Sequence, residues 1–506
     1  MAPHTTRPRG RRQSVPASRQ FASALQRAYL RAVHVLAIDQ GTSSTKALVV
    51  APAGDILALA EVAVHPKIVD GGGVEQDPEE LWASILTAGR QAVAHAAVPI
   101  NAVGLANQGE TILAWDRSSG APLSTALSWQ DRRATEVCER LRPQAESLRA
   151  LTGLPLDPYF AAPKIAWLRA HVTRDGVCTT TDTWLLHRLT GAFVTDAATA
   201  SRTLLMDLSS GRWSPRACSV FGVDPESLPT ITGCAEAIGE TSAFGATAPV
   251  AGHAVDQQAA LFAQACFDRG EAKCTYGTGA FLLATTGAQP TRSGAGLATC
   301  VAWRLGGETT YCLDGQVYTV GAAVNWLQRI GVINDPSDLD SSEGDSSHRS
   351  DVVFVPALAG LAAPFWRPAA RGSFVGLSLA TQRGDLIRAV IDGIAAQVAW
   401  LARAAGDDLG RPLSRLRVDG GLTRSRVLMQ TQADLLQIPI EVSASPHATA
   451  LGVAALARLG VGGAKTPAEA VGRRAAVVTY EPHLSSDEAA ARLRRWHDVA
   501  TATMVL

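Results

Sequence analysis

The chain has 506 residues, 47% hydrophobic and 18% charged, with 46 basic and 46 acidic side chains. This length exceeds one comfortable hydrophobic core, so two domains are expected; the zero formal charge excludes a global field for nucleic acid or an anionic membrane. No apolar run approaches the roughly 20 residues of a membrane span, and eight scattered cysteines without a C-x-x-C pair fit reduced thiols of a cytoplasmic enzyme, not disulfides or a zinc site.

Residues 1–31 carry seven arginines and no acid. They read as a disordered arm, or as an organelle transit peptide of the Arg-rich, acid-poor kind; either way they stand outside the fold. The ordered part opens with two apolar β-runs, 33–38 and 46–51, flanking DQGTSSTK, and a third run follows Pro52–Gly54. This predicts an antiparallel meander. Gly41 lets backbone approach a ligand closely, and Thr42, Ser43, Ser44 and Thr45 add hydroxyls to a nest of N–H groups suited to phosphate. The G-x-x-x-x-G-K-[ST] spacing is absent, so this is not a Walker A loop. Asp39, at the strand end, is placed to hold Mg²⁺ through water.

DPEELWASILTAGRQAVAHA then has a capping acid, a proline at the first helical position and helical apolar spacing. The strand NAVGLANQ follows, making this half α/β. Further on, GEAKCTYGTGAFLLATTG (270–287) is again two β-runs around a glycine turn, with Gly277, Thr278 and Gly279 at the turn. A strand near 311–318, a helix near 320–330 and the strand–turn–helix LRVDGGLTRSRVLMQTQADLL complete the second half. There Gly420 and Gly421 open a helix whose amides could meet a phosphate or the nucleoside. The Ser/Asp-rich segment 340–351 reads as a surface loop. Two similar halves around a cleft is the expected organisation.

Taken together, IDQGTSSTKA, NQGETILAWD, SWQDRRA, LDPYFAAPKIAWL, DTWLLHRLTG, ASRTLLMDL, VDQQAALFAQ, TYGTGAFLL, GLAAPFW and VDGG resemble the FGGY carbohydrate kinases, and among them the glycerol kinases. The motifs keep family order over about residues 33–460. The resemblance implies two actin-like, ribonuclease H-like α/β ATPase domains around a central cleft. Their expected limits are 32–264, for acceptor and phosphate, and 265–506, for nucleotide. It also implies ATP with Mg²⁺, and phosphoryl transfer to a hydroxyl of glycerol or a related small polyol, with no nucleic acid or membrane partner. The oligomeric state stays open.

Phosphoryl transfer needs the γ-phosphate held, its charge neutralised and the attacking oxygen placed in line. By composition Asp256 reads as the N-cap of an apolar helix; the resemblance makes it the general base and Gln257 an acceptor-binding amide. Glu110 and Tyr159 match the family's substrate residues, while Trp129 and Phe281 stand where it packs the acceptor's carbon side; by composition these aromatics would also pass as core. On the nucleotide side Thr42, Ser43, Ser44, Thr278, Gly321 and Gly421 match. Lys46, Asn325 and Ser425 replace the usual arginine, glutamine and asparagine. The loop 240–252 lacks the family's G-G-x-G-G-T-R effector pattern, so sugar-phosphate feedback is not carried over.

One departure matters most. Glycerol kinases read N-Q-R-E where this chain reads Asn107-Gln108-Gly109-Glu110, so a five-donor guanidinium is missing. Three outcomes stay open: weaker glycerol binding, room for a tetritol, pentitol or ketose, or another group in the gap, with Arg132 and Arg133 as the family-aligned candidates. A nucleotide-binding scaffold without catalysis is the non-enzyme alternative, and it would need no acceptor pocket.

Overall fold

The structure, a computed structural model, describes residues 33–344, 351–472 and 476–504; the basic arm lies outside them. The apolar runs of the first half form a six-stranded sheet in the order Gly239–Thr241, Ala248–Val255, Ala102–Asn107, Val35–Gln40, Ser44–Val50, Ile56–Ala63. The opening meander is antiparallel as expected, with Asp39 opposite Lys46. Val35–Gln40 and Ala248–Val255 both run parallel to Ala102–Asn107, so Gln40, Asn107 and Val255 line up at one sheet end. Ligands of open α/β sheets gather beyond such carboxyl ends.

The second half builds a seven-stranded sheet on the same plan: Ala298–Leu305, Glu308–Val317, Ala280–Gly287, Ala272–Tyr276, Leu416–Asp419, Ile440–Ser443, Ala476–Tyr480. Its central hairpin, Ala272–Tyr276 with Ala280–Gly287, is antiparallel and lies parallel to Leu416–Asp419. The likeness of the two halves is therefore real at the level of strand direction.

Helix Pro78–Ala96 covers one face of the first sheet through Leu81, Ile85, Ala88 and Ala92; its N-cap Asp77 accepts from Glu79 N–H. The other face is covered from far along the chain, by helix Ala448–Gly460, whose Ala- and Gly-rich surface permits close approach. A Cβ on Gly452 would stand 1.8 Å from the Ala259 carbonyl oxygen, so only glycine lets this helix seat the one that begins with Asp256. A second core packs helices Arg383–Leu409 and Arg426–Leu436 on the seven-stranded sheet. The expected surface loop at 340–351 is corrected in part. Pro336–Gly344 is a 3-10 helix, with Asp340 accepting from Ser425 Oγ at 2.6 Å; residues 345–350 lie outside the described part.

Candidate active site

Asp256 opens helix Asp256–Ala263 directly after the strand ending at Val255. Val255 is the N-cap, so the side chain of Asp256 is not spent on capping: its Oδ1 accepts only locally, from Gln257 N–H at 2.7 Å. Burial raises the Asp256 pKa, and the Lys273 ammonium opposes the rise. Lys273 is itself buried, which depresses its pKa; it donates to Gln257 Oε1 at 2.6 Å and Thr275 Oγ1 at 2.9 Å. Asp39 is pushed up to about 7, first by burial and then by repulsion from Asp256, with Lys46 working the other way. The Asp256 carboxylate thus sits close enough to disfavour charge on Asp39, the two coming from two strand ends.

The acceptor candidates converge on this end of the sheet. Trp129 stacks edge-on with Tyr159 at 5.8 Å and with Phe281 at 6.1 Å between ring centroids, so the three aromatics do form one box. The Trp129 indole N–H donates to Thr42 Oγ1 at 2.8 Å, tying that box to the phosphate turn. Thr42 in turn donates to Gln108 Oε1, whose amide donates to Gln40 and Gln76. Asn107 donates to Gln108 O and to Thr181 Oγ1. Asn107 and Gln108 are therefore satisfied framework, and they aim the next turn.

That turn carries the site's main surprise. Gly109 is not the left-handed residue; Glu110 is, at φ 56°. A non-glycine side chain there costs on the order of 1–3 kcal/mol, a conformation kept where surrounding structure over-determines it. Burial lifts the Glu110 carboxyl to about 7 against the pull of Arg202 and Lys164.

The gap at Gly109 is filled, though by neither expected arginine. Arg132 pairs with Asp157 at 3.1 Å and lies 4.7 Å from the Tyr318 ring centroid; Arg133 pairs with Asp131 and Glu75. The group present is Arg202, from ASRTLLMDL. Its Nε donates to Glu110, its Nη1 to Asp314 and its Nη2 to the Tyr159 hydroxyl at 3.3 Å. Burial opposes its charge, yet Asp314 and Glu110 hold its pKa well above the ordinary value. A Cβ on Gly109 would lie 2.8 Å from Val255 Cγ2 and 3.7 Å from Arg202 Nε. The glycine does not open a volume; it yields one. Lys164, buried nearby, donates to the carbonyls of Pro158, Tyr159 and Phe160 and is pushed down to about 7 by burial. Arg202, Lys164, Lys273 and Asp314 all lie outside the residues singled out from sequence. The available signal for two of them was that the motifs ASRTLLMDL and LDPYFAAPKIAWL contain Arg202 and Lys164.

The nucleotide candidates lie on glycine turns that pack on one another. Gly321 N donates to Gly277 O at 3.0 Å, and a Cβ on Gly321 would meet that same oxygen at 2.6 Å. Gly420, at φ 100°, sits against Tyr276, where a Cβ would fall 2.4 Å from its oxygen. Thr278, Asn325 and Gly421 are exposed around this junction, as is Ser43 on the first turn. Ser44 and Lys46 both face Glu61, at 2.7 and 3.8 Å. Ser425 is buried as the N-cap of helix Arg426–Leu436, accepting from Leu428 N–H, so its hydroxyl is engaged in the fold.

The FGGY N-terminal domain model of carbohydrate kinases matches residues 34–263, and the C-terminal domain model matches 272–460. The chain is 44% identical over 489 residues to a glycerol kinase of Myxococcus xanthus, covering 92% of this chain and 98% of that one. It is 42% identical to a glycerol kinase of Thermus brockianus, over 85% and 90% of the two chains. Among solved structures, glycerol kinase of Plasmodium falciparum with ADP superposes with a TM-score of 0.86 at 31% identity, covering 93% and 98%. Xylulose kinase of Rhodospirillum rubrum gives 0.80 at 23% identity over 93% and 98%, a likeness of fold alone.

Proposed function

The chain belongs to the FGGY family of carbohydrate kinases, and from that premise we propose that it transfers the γ-phosphoryl group of ATP to a hydroxyl of glycerol. The observation that carries the reading is the meeting of Asp256, the Glu110–Arg202 pair and the Trp129–Tyr159–Phe281 box at one sheet end, beside the phosphate turn. A glycerol-sized polyol has an apolar carbon edge for the aromatics and hydroxyls for the carboxylates.

The attacking hydroxyl gives its proton to Asp256 as its oxygen bonds to the γ-phosphorus; the bond from phosphorus to the β-phosphate bridging oxygen breaks, and ADP leaves. Lys273 opposes the rise that burial gives the Asp256 pKa, and the backbone of the glycine turns cradles the phosphates. Asp39 fits Mg²⁺: it is an oxygen donor beside a second carboxylate, and Mg²⁺ takes one or two carboxylates and fills its shell with water and phosphate. Among the described residues no group of three or more His, Cys, Asp or Glu side chains that could hold a metal ion occurs. Bound there, the ion would neutralise phosphate charge.

We keep 264/265 as the proposed domain limit: the strands of the six-stranded sheet precede it and those of the seven-stranded sheet follow it, while helix Ala448–Gly460 packs on the first sheet. Eight free, buried cysteines suit a reducing, cytoplasmic setting, and no helix of the described residues is long and apolar enough to cross a membrane. A longer polyol or a ketose as acceptor loses its main argument, because Val255 and Arg202 occupy the space over Gly109. ADP release measured over glycerol, erythritol, xylitol, dihydroxyacetone and xylulose tests the reading. Glycerol is expected to give the highest kcat/KM; a higher value for any other acceptor reassigns the substrate, and none above slow ATP hydrolysis removes the kinase.

A further inference from the structure

Two cysteines of the second sheet face each other without a bond. Cys300, on strand Ala298–Leu305, is the direct partner of Cys312, on the antiparallel strand Glu308–Val317, and their sulfurs lie 3.6 Å apart. Directly opposed residues of an antiparallel pair stand about 4.5–5.5 Å apart at Cα, inside the range of about 4.4–6.8 Å that a disulfide spans. The backbone is therefore already in place, and only the sulfurs have to approach. Both side chains are fully buried, and the groups that meet the Cys300 sulfur come from the first half of the chain. Arg202 Nη1 donates to it at 3.6 Å and Gln258 Nε2 at 3.5 Å. A guanidinium beside a sulfur favours the thiolate, which is the reactive form. Burial, then Cys300 itself, holds the Cys312 thiol well above the ordinary range. The two sulfurs are thus unlike: Cys300 is placed to attack and Cys312 to follow.

We propose that Cys300 and Cys312 form a reversible disulfide, a thiol switch that disturbs Arg202 and with it acceptor use. The oxidant is a small hydroperoxide, hydrogen peroxide itself, which reaches Cys300 where the two halves part. The Cys300 thiolate attacks one peroxide oxygen; the O–O bond breaks, the other oxygen leaves as water with the thiol proton, and Cys300 becomes a sulfenic acid. The Cys312 sulfur then attacks the Cys300 sulfur, the S–O bond breaks, and a second water leaves with the Cys312 proton. Two thiols together lose two electrons, and one peroxide is reduced to two waters. A dithiol reductant reverses the step by exchange through a mixed disulfide. Closing the bond draws the sulfurs from 3.6 Å to about 2.05 Å, and the sulfur that Arg202 and Gln258 share can no longer carry a charge toward them. Nη1 of Arg202 is the arm that also holds Asp314, while Nε and Nη2 hold Glu110 and the Tyr159 hydroxyl. The disturbance therefore falls on the acceptor corner and spares the glycine turns of the nucleotide face. In the reducing setting that eight free cysteines suit, the pair stays as thiols.

The bond is independent of the polyol kinase reading, whereas its effect on acceptor use rests on it. The test treats the full-length protein with hydrogen peroxide, then with dithiothreitol, and reads peptide masses and steady-state kinetics at each stage. Two of the eight thiols should disappear into a linked peptide joining Cys300 to Cys312. The glycerol KM should rise about fivefold, the scale of losing one hydrogen bond, while the ATP KM stays within about twofold. Dithiothreitol should restore both the thiols and the KM. Cys312→Ala, a small change outside the acceptor corner, should keep untreated kinetics near those of the wild type and lose the reversible response. Absence of the linked peptide, or higher oxidation of Cys300 in its place, overturns the proposal. So does a linked peptide with an unchanged glycerol KM, or an equal reversible response in Cys312→Ala. If the untreated enzyme does not phosphorylate glycerol, the functional reading falls and takes the kinetic half with it, while peptide mass still decides the bond.

Discussion

The acceptor corner and the nucleotide face solve opposite problems with opposite materials. At the first, in the reading proposed, recognition lies in charged side chains, Glu110, Arg202 and Asp314, locked to one another and to the Tyr159 hydroxyl, all buried. At the second it lies in backbone, on glycine turns fitted against each other, with Thr278, Asn325 and Gly421 exposed at the rim. A fork of hydrogen bonds fixes direction and tolerates no replacement; a nest of N–H groups is indifferent to neighbouring side chains. The departures at Lys46, Asn325 and Ser425 are therefore expected to be small matters, while Gly109 stands where Val255 and Arg202 border the missing side chain.

The sharpest way to test this contrast is to remove the base between the two regions. Asp256→Asn should lower kcat by about two or more orders of magnitude, the upper range for a general base, with ATP affinity by calorimetry nearly unchanged. Near-normal turnover would take Asp256 out of the mechanism. Next in size is Gly109→Arg. Read from sequence, an arginine there should improve glycerol use if glycerol were not the native acceptor; read from structure, it collides with Val255 and places a second guanidinium beside Arg202. Steady-state kinetics should show kcat/KM for glycerol falling at least about tenfold, an overpacking and like-charge effect. Improved glycerol use would mean that Val255 and Arg202 do not crowd position 109.

Asp39 offers a test through stability. Its folded pKa, about 7, lies above its unfolded value, so the folded state binds this proton more tightly. The resulting stabilisation is complete below the unfolded pKa, and rising pH removes it through about 7. Asp39→Asn should thus raise the melting temperature of ligand-free protein by a few degrees, roughly, at pH about 8 and by less at pH about 5. An equal shift at both values would contradict the burial of an uncompensated charge. The smallest effect belongs to the rim: Asn325→Ala should change the ATP KM less than about threefold, the scale of losing one exposed hydrogen bond. A large loss there would break the contrast between backbone and side-chain recognition.

Much of the fold was legible because its signals are local. Alternating apolar runs around Gly41 and Gly277 became the two hairpins, and Asp77-Pro78 opened the helix that their spacing predicts. The aromatic box and Asp256 came from resemblance, and geometry assembles them at one sheet end. What stayed hidden was long-range. Arg202 meets Glu110 across 92 residues and Asp314 across 112, and no periodicity encodes such a meeting. Gly109 misled for a related reason. A glycine among polar residues suggests backbone freedom, yet the left-handed conformation falls on Glu110, and the glycine serves only by lacking a side chain. Helix Ala448–Gly460 was hidden likewise, since covering the first sheet from the end of the chain is a property of topology.

The central claim is that this corner delivers a polyol hydroxyl to the γ-phosphate of ATP. Phosphorus NMR of the products formed from ATP, Mg²⁺ and glycerol tests it most directly. The account predicts a phosphomonoester of glycerol appearing in equal amount with ADP; ADP accompanied by inorganic phosphate, or no turnover, would contradict it.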